Sequence, residues 1–549
     1  MKRLAPGAVL LLAVLAWFGT LGYRDLIHPD EGRYAEIARG MLASGDWITP
    51  RLNGILYFEK PALQYWATAA AFAVFGISDF SARFWPGLTG AFAVLAVWWT
   101  TRKVLGPRVA LYSAAVLGSS VWWIGNGHFV NLDMGLSASL CLTLLGFWYG
   151  QRDQATASDN RLGMRVAWAG MALAVMSKGL IGIVLPGAVL AAYSVLARDF
   201  SVWRRMRWLS GILIFALIAV PWFVAVSLRN PEFARFFFIH EHVERFLSPG
   251  HRRTGAWWYF VPYLLAGLVP WTTLLPGALA LGWRRVPGRF QGNRLLLLWA
   301  AVIFAFFSVS SSKLPSYILP IFPALAILIG QHVQRLPARR LGLHFAVMAL
   351  AALAGMAGLA AMTGGWMGTR ASFSTEELAY REWILVGLAV MAALSALGSR
   401  LAFSGRIGAA CVALSFAGLI GTQTILQGHQ TLAMQKSART MVAALQAQRL
   451  PASAPVFTIG YYDQTLPYYL GRPVTLVDWL DEFAMGLSIE PALRLATVAE
   501  FMARWRSLPQ AAAVMRPDTY ERMRDAGLPM TVVYRDPSRT VVMRPAPAP

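Results

Sequence analysis

Up to about residue 425 the chain alternates long apolar runs with short polar loops. A helix needs about 20 residues to cross the hydrocarbon core of a bilayer. Thirteen runs come near that length, at roughly 4–23, 85–101, 107–124, 132–150, 164–177, 179–197, 207–228, 257–282, 294–310, 316–334, 342–362, 383–399 and 405–424. The pattern therefore predicts about thirteen transmembrane helices, of which 164–177 is the shortest. A further apolar run, 62–76, follows a charged segment and is expected to lie along the membrane interface. Lys2 and Arg3 precede the first run as in a secretory signal, but no Ala-x-Ala-like site precedes Tyr23, so a retained first helix is expected.

Beyond residue 425 the period changes. Short β-type runs at 456–459, 474–477, 511–515, 530–534 and 540–543 alternate with helical stretches at 491–506 and 518–526. Asp536-Pro537-Ser538 marks a turn between the last two strands. The expected organisation is a transmembrane domain over 1–425, carrying a long first outer loop at 24–84, followed by a small α/β domain over 426–549.

Composition agrees with a membrane protein. Of 549 residues, 57% are hydrophobic and 14% charged, against about a quarter charged in soluble domains. The net charge of +22 would point to nucleic acid in a soluble protein. Here its placement gives another reason. With the N-terminus inside, the inner loops hold Arg102, Lys103 and Arg108; Arg152, Arg161 and Arg165; Arg198, Arg204, Arg205 and Arg207; Arg284, Arg285, Arg289 and Arg294; Arg335, Arg339 and Arg340; and Arg400 and Arg406. That is the positive-inside pattern, and no nucleic-acid partner is expected. An odd number of spans leaves the segment after 425 outside. Cys141 and Cys411 both fall in apolar runs, which argues against a disulfide or a cysteine metal site.

The outer loops carry both signs of charge. The first holds His28-Pro29-Asp30-Glu31-Gly32-Arg33-Tyr34 and then Tyr57-Phe58-Glu59-Lys60-Pro61. The next holds His128 and Asn131-Leu132-Asp133, and a later one holds His240-Glu241-His242-Val243-Glu244-Arg245. Lys178 and Lys313 sit in short outer turns, the latter within Lys313-Leu314-Pro315-Ser316-Tyr317. Asp30 precedes an amphipathic segment at 33–43 and is either its cap or a site residue. Asp133 begins a span, where an acid is costly and marks a pathway or active site, unless it caps that span.

An acidic pair after the first span, a second Asp at the next outer loop and a C-terminal outer domain resemble the C-type membrane glycosyltransferases. The Asp30-Glu31-Gly32-Arg33-Tyr34 segment, together with Tyr57-Phe58-Glu59-Lys60-Pro61-Ala62-Leu63 and the His-Glu-His segment, is similar to one branch. That branch is the lipid A aminoarabinose transferases of the protein O-mannosyltransferase-like superfamily. The resemblance covers the membrane part well; the C-terminal domain matches it in placement more than in motif.

The fold so implied is an α-helical polytopic membrane protein of the C-type glycosyltransferase class with a C-terminal periplasmic α/β domain. The implied location is the bacterial inner membrane, N-terminus in the cytoplasm. The implied partners are an undecaprenyl-phosphate-linked sugar donor, 4-amino-4-deoxy-L-arabinose, a lipid A or other outer-face acceptor, and membrane lipids. Such transfer lowers the negative charge of lipid A and its attraction for cationic antimicrobial peptides.

The leaving phosphate gains charge as the glycosidic bond breaks, so cations aimed at it favour the transition state. Lys60 and Arg245 are the candidates, with Tyr57 beside them; Arg245 is otherwise one of several interfacial arginines. Asp30, Glu31 and Asp133 are the candidates for catalysis, as acceptor-orienting groups, as partners of a sugar amine, or as a general base. The resemblance also implies a zinc, structural or near the active site, with Glu59 and His240 as ligands and His242 as a weaker third. His240 and His242 share a face only if their segment is extended. No nucleotide cofactor is expected. Competing readings are another polyprenyl-phosphate glycosyltransferase and a transporter or lipid flippase. Transporters place ionisable residues near the midplane and use paired broken helices, whereas the charges here gather at outer ends.

Overall fold

Each of the thirteen apolar runs falls on helix in the computed structural model, which describes residues 6–244, 255–364 and 373–545. Among the described residues, eight helices are long and apolar enough to cross a membrane. A helix pair, Phe260–Gly267 and Thr272–Trp283, bent by 111°, brings the count to nine when its two halves are taken as one span. The other runs fall on helices that are shorter, interrupted or charged at one end. These are Pro6–Phe18, Pro107–Ser119 followed by Val121–Gly127, Ala157–Lys178 and Ile181–Ala197. The run at 62–76 forms the helix Leu63–Phe75.

The chain divides into two compact units. The first comprises Met1–Leu21, Glu59–Gln64 and Arg83–His429 and is helical. Its core holds large side chains that are fully buried, among them Trp123, Trp148, Trp271 and Trp299. Small residues let its helices approach closely, as is usual between spanning helices. A Cβ on Gly146 would lie 2.6 Å from the Gly163 carbonyl oxygen, so Leu132–Gln151 and Ala157–Lys178 meet backbone to backbone there.

The second unit comprises Gly22–Phe58, Tyr65–Ala82 and Gln430–Pro549. Its first strands, β1 (Arg51–Leu52) and β2 (Ile55–Leu56), form an antiparallel hairpin closed by Asn53-Gly54. Both turn residues have positive φ, 53° and 80°, as a two-residue hairpin turn requires. Six further strands form one sheet: β3 (Val456–Ile459), β4 (Thr475–Val477), β5 (Arg494–Leu495), β6 (Ala512–Met515), β7 (Thr531–Arg535) and β8 (Thr540–Met543). Their order is β5-β4-β3-β6-β8-β7, with β3 to β6 parallel and β7 and β8 antiparallel. The central strands β3 and β6 are buried along their whole length, as continuous apolar runs in a parallel sheet should be. Phe501 and Trp505 pack against Phe457 of β3.

One local expectation is corrected. The stretch 491–506 is not one helix. It opens with a 3-10 turn (Pro491–Leu493) and the two-residue strand β5, and the helix Val498–Ser507 begins only where the Thr497 hydroxyl accepts from Glu500 N–H at 3.2 Å. A two-residue strand is too short to show a period. Gly22–Phe58 and Tyr65–Ala82 cluster with the C-terminal strands. Distant pairings do this. The Asn53 side-chain amide bonds both Val474 N–H and C=O, at 2.7 and 2.8 Å, and Arg439 pairs with Asp25 and Asp79 at 2.6 and 2.9 Å.

Candidate active site

Asp133 owes its availability to its neighbour. The Asn131 side chain accepts from Met134 N–H at 2.8 Å and caps Leu132–Gln151, so Asp133 sits in the first turn and is not the cap. A carboxylate there is favoured by the helix dipole. It is buried, and it gathers groups from two other turns. Lys178, at the end of Ala157–Lys178, donates to Oδ1, and the Ser316 hydroxyl donates to Oδ2 at 2.6 Å. The Lys178 ammonium also lies 4.5 Å from the centre of the Tyr317 ring. Lys313, in the same turn as Ser316, donates to the carbonyls of Ser308 and Ser310 at 2.6 and 2.7 Å. It therefore closes the end of Gly292–Val309 and does not reach into the cluster as a free cation.

Lys60 belongs to a second cluster in the same unit. Its ammonium lies 3.1 Å from Glu241 Oε2 and 3.8 Å from the Glu59 carboxylate, and donates to the Glu59 carbonyl at 2.8 Å. Glu241 stands on a π-helix, Arg235–Glu244, a rare helix form that is frequent at functional sites. The segment carrying His240 and His242 is thus helical and not extended. His240 stacks on Phe236 at 5.2 Å and, with Glu232 and Arg235, lines a cleft of about 500 Å³. Arg245 and the His242 side chain lie outside the described residues.

Of the three expected zinc ligands, the described residues include the Glu59 and His240 side chains and not that of His242. Among the described residues no three His, Cys, Asp or Glu are placed to share one ion, and the ammonium of Lys60 stands beside Glu59. We route no step through zinc.

The remaining candidates belong to the second unit. Pro29, not Asp30, occupies the N-cap of Asp30–Ser44. The Asp30 carboxylate is half exposed and pairs with Arg33 at 2.5 Å. Arg33 also pairs with half-buried Glu482 at 2.6 Å, and Gln464 donates to the same Glu482 at 2.7 Å. Burial alone would lower the Arg33 pKa, but Tyr57, Glu482, Tyr34 and Asp30 together raise it well above the usual arginine range. Glu31 is buried, its carboxylate accepting from Ile27 N–H at 3.2 Å. Tyr57 is buried as well.

Within the first unit the structure therefore joins Asp133 to Lys178 and Ser316, and Lys60 to Glu241. Within the second it joins Asp30 to Arg33 and Glu482. Sequence reading singled out Lys178, Ser316 and Glu241 as outer-face residues without finding their partners. Glu482 and Gln464 carried no signal, because they lie more than 400 residues along the chain from Asp30.

Comparison with known proteins covers up to 97% of the chain. Residues 7–237 match the family model "Dolichyl-phosphate-mannose-protein mannosyltransferase", and residues 441–544 match "Aminoarabinose transferase C-terminal domain". An undecaprenyl phosphate-alpha-4-amino-4-deoxy-L-arabinose arabinosyl transferase of Edwardsiella ictaluri (strain 93-146) is 34% identical over 529 residues, 92% of each chain. The crystal structure of ArnT from Cupriavidus metallidurans bound to undecaprenyl phosphate is 35% identical, with a TM-score of 0.91 over 97% of both chains. Its apo form gives 0.90 over the same share. With its many spanning helices and its mixed C-terminal sheet, the chain belongs to the aminoarabinose transferase family of multi-span membrane glycosyltransferases.

Proposed function

We propose that this chain transfers 4-amino-4-deoxy-L-arabinose from undecaprenyl phosphate to a phosphate of lipid A at the periplasmic face of the inner membrane. The observation that carries the reading is likeness over 97% of both chains to a protein whose crystal structure holds undecaprenyl phosphate. In this reading the N-terminus is cytoplasmic, the basic loops face the cytoplasm, and the residues after 425 are periplasmic.

An oxygen of the lipid A phosphate attacks the sugar's anomeric carbon, the bond from that carbon to the carrier phosphate breaks, and undecaprenyl phosphate leaves with the bonding pair. The attacking phosphate is already ionised near neutral pH, so no strong base is required. Positioning and charge balance are then the main tasks. Lys60 stabilises the charge growing on the leaving phosphate, held meanwhile by Glu241 and Glu59. Arg245 is assigned the same task from the resemblance. Asp133, fixed by Lys178 and Ser316, orients the acceptor or the sugar's amino group. For Asp30, half exposed on Arg33, the resemblance implies a part in catalysis, and buried Glu31 holds the turn that presents it.

Mass spectrometry of lipid A from cells with and without the chain tests the assignment. Gain of one aminopentose on a phosphate supports it. An unchanged lipid A alongside a modified glycan or protein would move the chain to another acceptor.

A further inference from the structure

A second cavity lies apart from all these residues and wholly within the helical unit. Its volume is about 230 Å³, and its walls include Phe147, Trp168, Leu190, Trp203, Trp208 and Phe215. The three tryptophans have no free donor to offer. Their indole N–H groups go to the Met206 carbonyl, the Ser194 hydroxyl and the Trp203 carbonyl, at 3.0, 2.9 and 2.9 Å. The surface presented is ring and aliphatic carbon. From Ile183 to Leu190, both in the wall, the groove follows Ile181–Ala197 for about 10 Å at 1.5 Å per residue, then reaches the tryptophans. Val195, Phe200 and Leu209, close in sequence to this wall, are exposed.

The tryptophan end is cationic. The connection between Ile181–Ala197 and Trp208–Arg229 carries four arginines, Arg198, Arg204, Arg205 and Arg207. Two are engaged: Arg205 holds the carbonyls of Gly150 and Gln151, and Arg207 holds the Asn160 side chain at 2.8 Å. Arg198 and Arg204 are exposed and have no ion-pair partner among the described residues. Asp199, the one acid in this connection, is buried and paired with Arg289 at 3.0 Å. Exposed Arg165 lies one helical turn from Trp168. An apolar slot alone takes any lipid chain, whereas unpaired cations at its mouth select a headgroup with net negative charge.

We propose that this groove is a binding site for an anionic glycerophospholipid of the leaflet that the basic loops face. One acyl chain lies along Leu190 and Phe215, and the phosphate sits on Arg204 and Arg198. The proposal rests on the chain spanning a bilayer and does not depend on the transfer reaction.

Native mass spectrometry of the detergent-purified chain tests it, with phosphatidylglycerol and phosphatidylethanolamine of matched acyl chains as probes. The wild type should retain phosphatidylglycerol about thirtyfold better, the scale of two arginines near a membrane surface. Gly187 lines the groove, and a Cβ there would meet nothing within 4 Å. Gly187→Phe should therefore fill the slot and abolish retention of both lipids while leaving lipid-free melting unchanged. Arg204→Glu, an exposed change, should abolish the preference and leave chain binding in place. Equal retention of the two lipids by the wild type would overturn the proposal. So would an undiminished preference in Arg204→Glu, or a folded Gly187→Phe variant that binds as before.

Discussion

Replacing Lys178 by Met leaves the Asp133 carboxylate with Ser316 as its remaining partner in this cluster. The two side chains are 18% and 10% exposed, so little water reaches the site to replace the lost ammonium. Breaking a buried pair from one side costs about 3–5 kcal/mol, because a charge is left uncompensated. The residual exposure places this pair at the lower end, about 3 kcal/mol. Removing both charges together is a different perturbation, since substituting neutral groups for a whole buried pair is often close to neutral. Asp133→Asn with Lys178→Met should therefore recover about 2 kcal/mol of the single variant's loss, read as coupling in a double-mutant cycle. Activity separates support from chemistry. If Asp133 orients a substrate, the double variant melts near the parent temperature yet loses about a hundredfold or more in kcat/KM, equivalent to about 2.7 kcal/mol. Thermal unfolding in detergent and initial transfer rates on the four proteins provide both readings. A double variant as unstable as the single would refute the coupling, and one with near-parental kcat/KM would refute any role of Asp133 beyond packing.

Lys60→Ala should lower kcat by about 10²–10³, the range for removing one transition-state donor, with Lys60→Arg retaining more activity; equal rates for all three proteins would remove Lys60 from the mechanism. In Gly32→Ala the new Cβ would lie 2.6 Å from the Gln464 carbonyl carbon and Thr465 nitrogen, costing about 1–3 kcal/mol by overpacking. Gly40→Ala, whose Cβ meets only the Arg51 oxygen at 3.8 Å, should be tolerated, and thermal melting of the two distinguishes them. Burial alone would raise the Asp536 pKa, but Arg539 and the Ser538 hydrogen bonds outweigh it and hold the carboxyl below its usual range. That stabilisation is present above the unfolded value of about 3.9 and is lost as pH falls through the depressed folded value. Asp536→Asn should thus cost most stability above about pH 4 and converge with the parent in acid; a pH-independent difference in denaturant melts would contradict this.

The helices were legible because the bilayer leaves a long apolar run few other conformations. Strands β3, β4, β6, β7 and β8 were legible from short β-type runs bounded by turn residues. The Asp536-Pro537-Ser538 turn was legible too: Asp536 accepts from Ser538 N–H and Arg539 N–H at 2.8 and 2.7 Å, its own side chain making the turn. Asn53-Gly54, the commonest hairpin signal, was present but not read, since strands of two residues show no alternation. Acids at outer helix ends marked Asp30 and Asp133, yet local pattern could not tell cap from site. That distinction needed Asn131 and Pro29 to be seen in the capping positions. Partners such as Lys178 for Asp133 and Glu482 for Arg33 depend on chain segments meeting after folding, and one sequence holds no record of that.

Transfer by purified protein from undecaprenyl phosphate-linked 4-amino-4-deoxy-L-arabinose to defined lipid A, followed by mass spectrometry, tests the central claim most directly. The account predicts one added aminopentose on a lipid A phosphate, release of undecaprenyl phosphate, and loss of both in Asp133→Asn. Intact donor and unmodified lipid A after incubation with folded wild-type protein would contradict it.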